Sequence, residues 1–212
     1  MRTKPSAIRL SLVLVLFTGL CVYRLCPTSP PKNIYWVSGD TMGTTYNVKI
    51  ANQALSSTEE RSLKTLVQEE LDQVEALMST YRPDSEVSRF NAWREEAPFP
   101  ISEDVYKVLV HAQAISDESK GAFDITVGPA VRRWGFGPDP RIGPPNPQEI
   151  HTLRSQIGYT RLKLSPKRLL VKKHQSLEID LSAIAKGYAV DQVSLQLEKK
   201  GYLHHMVEVG GE

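Results

Sequence analysis

The stretch that decides the fold is EIDLSAIAKGYAVDQV, residues 178–193. Apolar residues dominate its start, so the pattern predicts a buried strand over Leu177–Leu181 that carries Asp180 near its end. A turn of small residues follows, and Lys186 stands at the start of a segment with helical spacing. A carboxylate, an uncrowded backbone turn and a lysine therefore meet at one predicted strand-to-helix junction.

Strand and helix patterns alternate through the rest of the chain. Capping signals and apolar spacing predict helices from a capping box at 57–60 to about Leu77, from Ser102 to Gly121, from Asn146 to Gly158 and from about Ile184 to Lys199. Strand patterns cover 34–50 (two strands or one bulged strand), a hairpin around 165–167 and a last strand over 204–209. We therefore expect an α+β fold, with helices packed on a mixed or antiparallel sheet, and not a doubly wound sheet.

Size and composition fit an ordinary globular domain. The chain has 212 residues, of which 41% are hydrophobic and 24% are charged, enough for one domain with its own core. The formal net charge is +2, and the basic residues form no stripe, which argues against a nucleic-acid partner. The sequence contains no Walker loop and no usable G-x-G-x-x-G, so the common nucleotide motifs do not explain it.

The N-terminus is typical of an exported protein. A basic start precedes the apolar run 10–22, as in a signal peptide, although the run is shorter than the ~20 apolar residues that span a bilayer. It could still serve as an uncleaved membrane anchor. We predict a signal peptide or anchor over 1–26, a proline-rich spacer over 27–33 and a folded domain over 34–212.

Both cysteines, Cys21 and Cys26, lie in the leader segment. The folded body therefore has no disulfide framework and no cysteine nucleophile. A lipid-accepting cysteine stays open as an alternative, although Leu20 and Leu25 stand where bacterial lipoproteins usually place a small residue.

Four stretches depart from simple core patterning: GDTMGTTY at 39–46, MSTYR at 78–82, GAFDITVGP at 121–129 and DLSAIAKGYA at 180–189. Each places glycine, small hydroxyl residues or one charge at the end of a regular element. Exposed backbone N–H groups beside a lysine suit a phosphate, and a turn carbonyl with oxygen side chains suits a hard cation such as Mg²⁺.

Each of these residues also has a structural interpretation. Met42 could belong to the core, Asp124 could cap a turn, and Asp180 and Lys186 could form a local ion pair. Taken singly, none of the four stretches specifies a function.

Together and in this order, the four stretches strongly resemble the ApbE family of FAD:protein FMN transferases. The resemblance covers about Ile34 to Glu212. It implies an ApbE-like (T-fold-like) architecture and an exported, Mg²⁺-dependent enzyme. Such an enzyme transfers FMN from FAD to a threonine or serine hydroxyl of a partner flavoprotein and releases AMP.

The resemblance also implies roles for particular residues. Matching motif positions are FAD contacts at Met42, Ser79, Thr80, Tyr81, Ala122, Phe123, Asp124, Asp180 and Lys186. Ala183 matches the residue whose backbone oxygen reaches Mg²⁺. The expected acceptors are flavoprotein subunits of membrane redox complexes, at the periplasmic face of a bacterial inner membrane.

The match stops where the family continues beyond its version of VEVGGE. The family's side-chain metal ligands and its histidine lie further on, so the catalytic residues are expected beyond Glu212. Three interpretations follow: a piece of a longer FMN transferase, a non-catalytic flavin-binding module, or a FAD pyrophosphatase that yields FMN and AMP.

Overall fold

The computed structural model describes residues 33–51, 53–136 and 143–211. The predicted leader and nearly all of the predicted spacer lie outside these ranges. Within them, no helix is both long enough and apolar enough to cross a bilayer.

One antiparallel sheet has three strands. Strands β1 (Ile34–Thr41) and β2 (Thr44–Ala51) form a hairpin, and β6 (His205–Val209) pairs with the other side of β2. The two residues between β1 and β2, Met42 and Gly43, have φ of 49° and 71°. Positive φ at both positions is typical of a tight two-residue hairpin, so the segment 34–50 is two strands and not one bulged strand.

The second antiparallel sheet is smaller. Its strands are β3 (Phe99–Pro100), β4 (Leu162–Ser165) and β5 (Leu169–Lys172), in the order β3-β5-β4. The β4–β5 hairpin lies where the Ser-Pro-Lys turn predicts it.

Six α-helices are described: α1 (Ser57–Met78), α2 (Glu86–Ala92), α3 (Glu103–Glu118), α4 (Gly128–Arg133), α5 (Pro147–Gln156) and α6 (Ala185–Lys199). Ser102 and Asn146 cap α3 and α5 as predicted. The capping box of α1 is formed by Ser56 and Glu59, one residue earlier than the predicted start. The sequence pattern did not indicate α2.

The core lies between the larger sheet and the two long helices α1 and α6. Strand β2 contributes Tyr46, Val48 and Ile50, all fully buried. Helix α1 buries one apolar face from Leu63 to Met78, and α6 buries Ala189, Val193 and Leu197. Burial of each large apolar side chain contributes about 1.5–3 kcal/mol, so this interface holds the ends of α1 and α6 in fixed positions against the sheet.

The predicted strand at Leu177–Leu181 is wrong. The segment is extended, and Leu177, Ile179 and Leu181 are buried, but it has no strand partner in the described ranges. Its backbone hydrogen bonds go instead to the side chain of Asn91 and to the carbonyl of Ile125. An extended segment alternates buried and less buried residues whether or not it is paired in a sheet, which explains why the sequence pattern resembles a strand.

Lys172 of β5 is an unusual partly buried cation. Its Nζ donates to the carbonyls of Asn91 and Trp93, each at 3.1 Å, and lies 4.6 Å from the centre of the Phe90 ring. Burial, together with a smaller effect from the nearby charge of Arg94, lowers the pKa of Lys172 to about 8. The ammonium is therefore less stable in the folded protein than in water.

This pKa predicts a pH-dependent contribution to stability. Between pH 8 and 10.5 the unfolded chain holds a proton on Lys172 that the folded chain has lost, so the folded state gains stability as the pH rises. We expect the free energy of unfolding of the wild type to rise between pH 7 and 10 relative to Lys172→Met, as measured by urea denaturation. Lys163→Met, at an exposed position on β4, is the control, and its free energy of unfolding should change with pH in the same way as that of the wild type. Parallel curves for Lys172→Met would contradict the prediction.

Candidate functional site

The four stretches singled out in the sequence meet at one cleft. It consists of two adjoining cavities, of about 510 and 410 Å³, whose walls share Thr80, Tyr81 and Ser182. The predicted residues all line it: Met42, Ser79, Thr80, Tyr81 and Lys186 in the first cavity, and Thr80, Tyr81, Ala122, Phe123, Asp124, Asp180 and Ala183 in the second. Residues up to 144 positions apart, from Met42 to Lys186, are thus brought to one surface.

Met42 reaches the cleft from the tip of the β1–β2 hairpin. Its side chain is half-buried and packs against the edge of the core. The core interpretation of Met42 is therefore partly right, because the same side chain also lines the first cavity.

The segment Ser79–Tyr81 turns away from the end of α1. The hydroxyl of Ser79 accepts the backbone N–H groups of Tyr81 at 3.1 Å and Arg82 at 3.3 Å, which fixes the turn. Tyr81 is 63% exposed, so its ring stands at the rim of the cleft with most of its surface open to a ligand.

Asp124 holds the second cavity's wall in shape. Its Oδ1 accepts the N–H and the hydroxyl of Thr126 at 2.8 and 2.6 Å, and its Oδ2 accepts the N–H of Tyr159 at 3.0 Å. The hydroxyl of Thr126, a fully buried residue, also accepts the N–H of Gly158 at 2.7 Å. The turn-cap interpretation of Asp124 therefore describes its observed contacts, and this residue shapes the wall that it lines.

Asp180 and the turn after it form the junction between the two cavities. The backbone N–H of Asp180 donates to the carbonyl of Ile125 at 2.7 Å, and its Oδ1 accepts the N–H of Ser182 at 2.9 Å. This aspartate therefore starts a local turn in which Ser182 and Ala183 are exposed.

The N-terminal end of α6 lies at the wall of the first cavity and gives it a positive electrostatic potential. No side chain caps this helix, whose N-cap residue is Ile184, and Lys186 follows within the first turn. The positive end of the helix dipole and the ammonium of Lys186 both favour an anion. This corner of the cleft therefore suits an anionic group.

The described residues do not by themselves make a magnesium site. Mg²⁺ prefers six oxygen ligands, usually one or two carboxylates with phosphate and water oxygens. Within 33–51, 53–136 and 143–211 there is no group of three or more His, Cys, Asp or Glu side chains that could hold a metal ion. Ala183 offers one backbone carbonyl, and its metal role stays a prediction.

Sequence reasoning missed several lining residues. Phe136 is 70% exposed and lines the second cavity together with Val127 and Val131. A glycine on each side of Phe136 was a signal of an unusual local backbone, but that signal does not reveal which surface the ring faces.

Comparison with known proteins decides the family. The model of the ApbE family matches residues 42–212. The chain belongs to the ApbE family. It is 38% identical over 200 residues to the FAD:protein FMN transferase of Vibrio cholerae, covering 94% of this chain and 59% of that protein. It is 41% identical over 182 residues to the FAD:protein FMN transferase of Haemophilus influenzae, covering 83% and 52%.

The fold agrees with this membership. The solved structure of the flavin transferase ApbE from Vibrio cholerae superposes on this chain with a TM-score of 0.80 at 39% identity, covering 86% of this chain and 58% of that one. The predicted resemblance and the α+β class with antiparallel sheets are therefore confirmed. This ApbE chain spans between half and three fifths of the length of these relatives.

Proposed function

We propose that this ApbE chain binds FAD in the cleft and belongs to an FAD:protein FMN transferase. One observation carries the proposal: all the residues expected to contact FAD, drawn from four separate stretches, line two adjoining cavities. The names of the relatives support the flavin substrate.

The cleft has the properties that an FAD site needs. Each cavity is within the roughly 300–1,000 Å³ of ordinary ligand pockets, and two joined cavities suit the two halves of a dinucleotide. Lys186 and the N-terminus of α6 would bind the diphosphate. The rings of Tyr81, Phe123 and Phe136 could pack against flat ring systems.

The proposed reaction is a phosphoryl transfer. A threonine or serine hydroxyl of the acceptor attacks the phosphorus atom of the FMN half, a new P–O bond forms, and the bond to the bridging oxygen breaks. AMP leaves with that oxygen, and the hydroxyl proton passes to a base or to water. Such reactions depend on positioning and charge stabilisation more than on covalent chemistry by the protein.

The proposal includes a requirement for Mg²⁺, with the Ala183 carbonyl as one ligand. The other ligands would be phosphate oxygens, water and residues outside the described ranges. The acceptors would be flavoprotein subunits of membrane redox complexes. An exported location, at the periplasmic face of the bacterial inner membrane with a signal peptide, lipid or helix anchor, is proposed from the leader pattern.

One experiment distinguishes transfer from its alternatives. The protein, purified at its natural length, is incubated with FAD, MgCl₂ and a flavoprotein subunit as acceptor, with EDTA and acceptor-free reactions as controls. We expect AMP release together with covalent flavin on the acceptor, seen as in-gel fluorescence and as a mass increase. AMP and free FMN without labelled acceptor would instead indicate a pyrophosphatase, and FAD binding without AMP release would indicate a binding module.

A further inference from the structure

Helix α2 contacts two walls of the cleft, one at each end. At its N-terminal end, the hydroxyls of Ser85 and Ser88 donate to the carbonyl of Ser79 at 2.5 and 3.1 Å. The segment Ser79–Tyr81 is therefore held from outside the cleft.

At the other end of α2, the side chain of Asn91 makes the backbone hydrogen bonds that a neighbouring strand would make. Its Nδ2 donates to the carbonyl of Ile179 at 2.8 Å, and its Oδ1 accepts the N–H of the same residue at 2.8 Å. Both backbone groups of Ile179 are thus satisfied by one side-chain amide. Since Ile179 immediately precedes Asp180, this contact fixes the chain just before the cleft.

The next residue is held from the other direction. The N–H of Asp180 donates to the carbonyl of Ile125, which follows the Asp124 turn in the second cavity's wall. The extended segment is therefore clamped between Asn91 and Ile125. A shift at Ile179 would move Asp180 and the exposed turn at Ala183.

Helix α2 is itself firmly anchored away from the cleft. Val87 and Phe90 are each 1% exposed, and the Phe90 ring packs edge-to-face with Phe99 at 5.6 Å between ring centres. The buried carboxylate of Glu86 accepts the N–H of Ser102 at 2.7 Å. Asn91 is therefore presented from a rigid support, which is what a positioning group requires.

We infer that Asn91 is a positioning residue for FAD binding, acting through Ile179 on Asp180 and the Ala183 turn. The inference rests on the proposed function, because it concerns the same cleft. Asn91 is not among the residues that line either cavity, so its effect on a ligand is indirect.

Asn91→Asp is the most specific single change, because the side chain keeps its size but loses the amide donor. A carboxylate oxygen, which can only accept a hydrogen bond, would then lie against the carbonyl oxygen of Ile179. We expect the Kd for FAD, measured by flavin fluorescence, to rise about 10-fold, equal to about 1.4 kcal/mol. Arg89→Ala, at an exposed position on the same helix, is the control and should leave the Kd unchanged.

A double-mutant cycle separates positioning from general destabilisation. If Asn91 acts through Asp180, Asn91→Ala should weaken FAD binding in the wild type and have little further effect in Asp180→Ala. Additive losses, or an unchanged Kd, would overturn the inference. So would failure of both Asn91 variants to fold, judged by circular dichroism, because Asn91 would then serve the fold itself. If Asn91→Asp, Asn91→Ala and the wild type all fold but bind no FAD, the proposed function fails, and the inference fails with it.

Discussion

Lys186→Ala should raise the Kd for FAD about 10- to 100-fold. Hydrogen bonds to charged groups contribute about 1.5–3 kcal/mol, which corresponds to that range of affinity. Lys186 lies in the first turn of α6 and lines the first cavity, where the helix dipole adds to its positive charge. No side chain caps this helix end, and Lys186 is the one lysine or arginine among the described residues that line the first cavity.

The matched control is Lys199→Ala at the opposite end of the same helix. It removes the same charge from an exposed position in the last turn, and FAD affinity should not change. Lys186→Arg should retain most of the affinity, and raised salt should weaken the wild type more than Lys186→Ala. An unchanged Kd for Lys186→Ala in fluorescence titrations would contradict the assignment of the diphosphate to this corner.

Gly39→Ala should destabilise the fold by about 1–3 kcal/mol, the usual cost of adding volume to a packed core. Gly39 of β1 is paired directly with Tyr46 of β2. A methyl group at Gly39 would stand 2.7 Å from Cε1 and 2.8 Å from the hydroxyl of Tyr46. The Tyr46 ring is fully buried and has little room to move away.

Gly187→Ala adds the same methyl group, but we expect it to stabilise the fold and not to destabilise it. Nothing lies within 4 Å of a methyl group at this helical position in α6. Because alanine is favoured over glycine inside helices, we expect a gain of about 0.5–1 kcal/mol. Urea denaturation of both variants measures the two effects. If Gly187→Ala lost as much stability as Gly39→Ala, the contact with Tyr46 would not be the cause of the loss at Gly39.

The sequence predicted those elements that carry their own local signals. Helices α3 and α5 begin directly after Ser102 and Asn146 because the side chains of these two residues cap the first turn, and that requirement is visible in the sequence. Helix α2 was missed because it has only seven residues, too few for a clear period. One of its buried residues is the charged Glu86, whose carboxylate accepts the N–H of Ser102, the N-cap residue of α3.

The candidate site was predicted as a set of residues but not as an arrangement. Its stretches were identified by their residue types and their residue roles by resemblance, whereas their meeting depends on tertiary contacts such as the Asn91–Ile179 pair. No spacing rule connects residues 88 positions apart. The role of Asp124 in fixing its own loop likewise depends on the N–H of Tyr159, which only the fold brings near.

The most direct test of the central claim is a crystal structure of the chain grown with saturating FAD. The account predicts electron density for the dinucleotide along both cavities, with the diphosphate near Lys186 and ring systems against Tyr81 and Phe123. Density for FAD elsewhere on the molecule, or an empty cleft at saturating FAD, would contradict it.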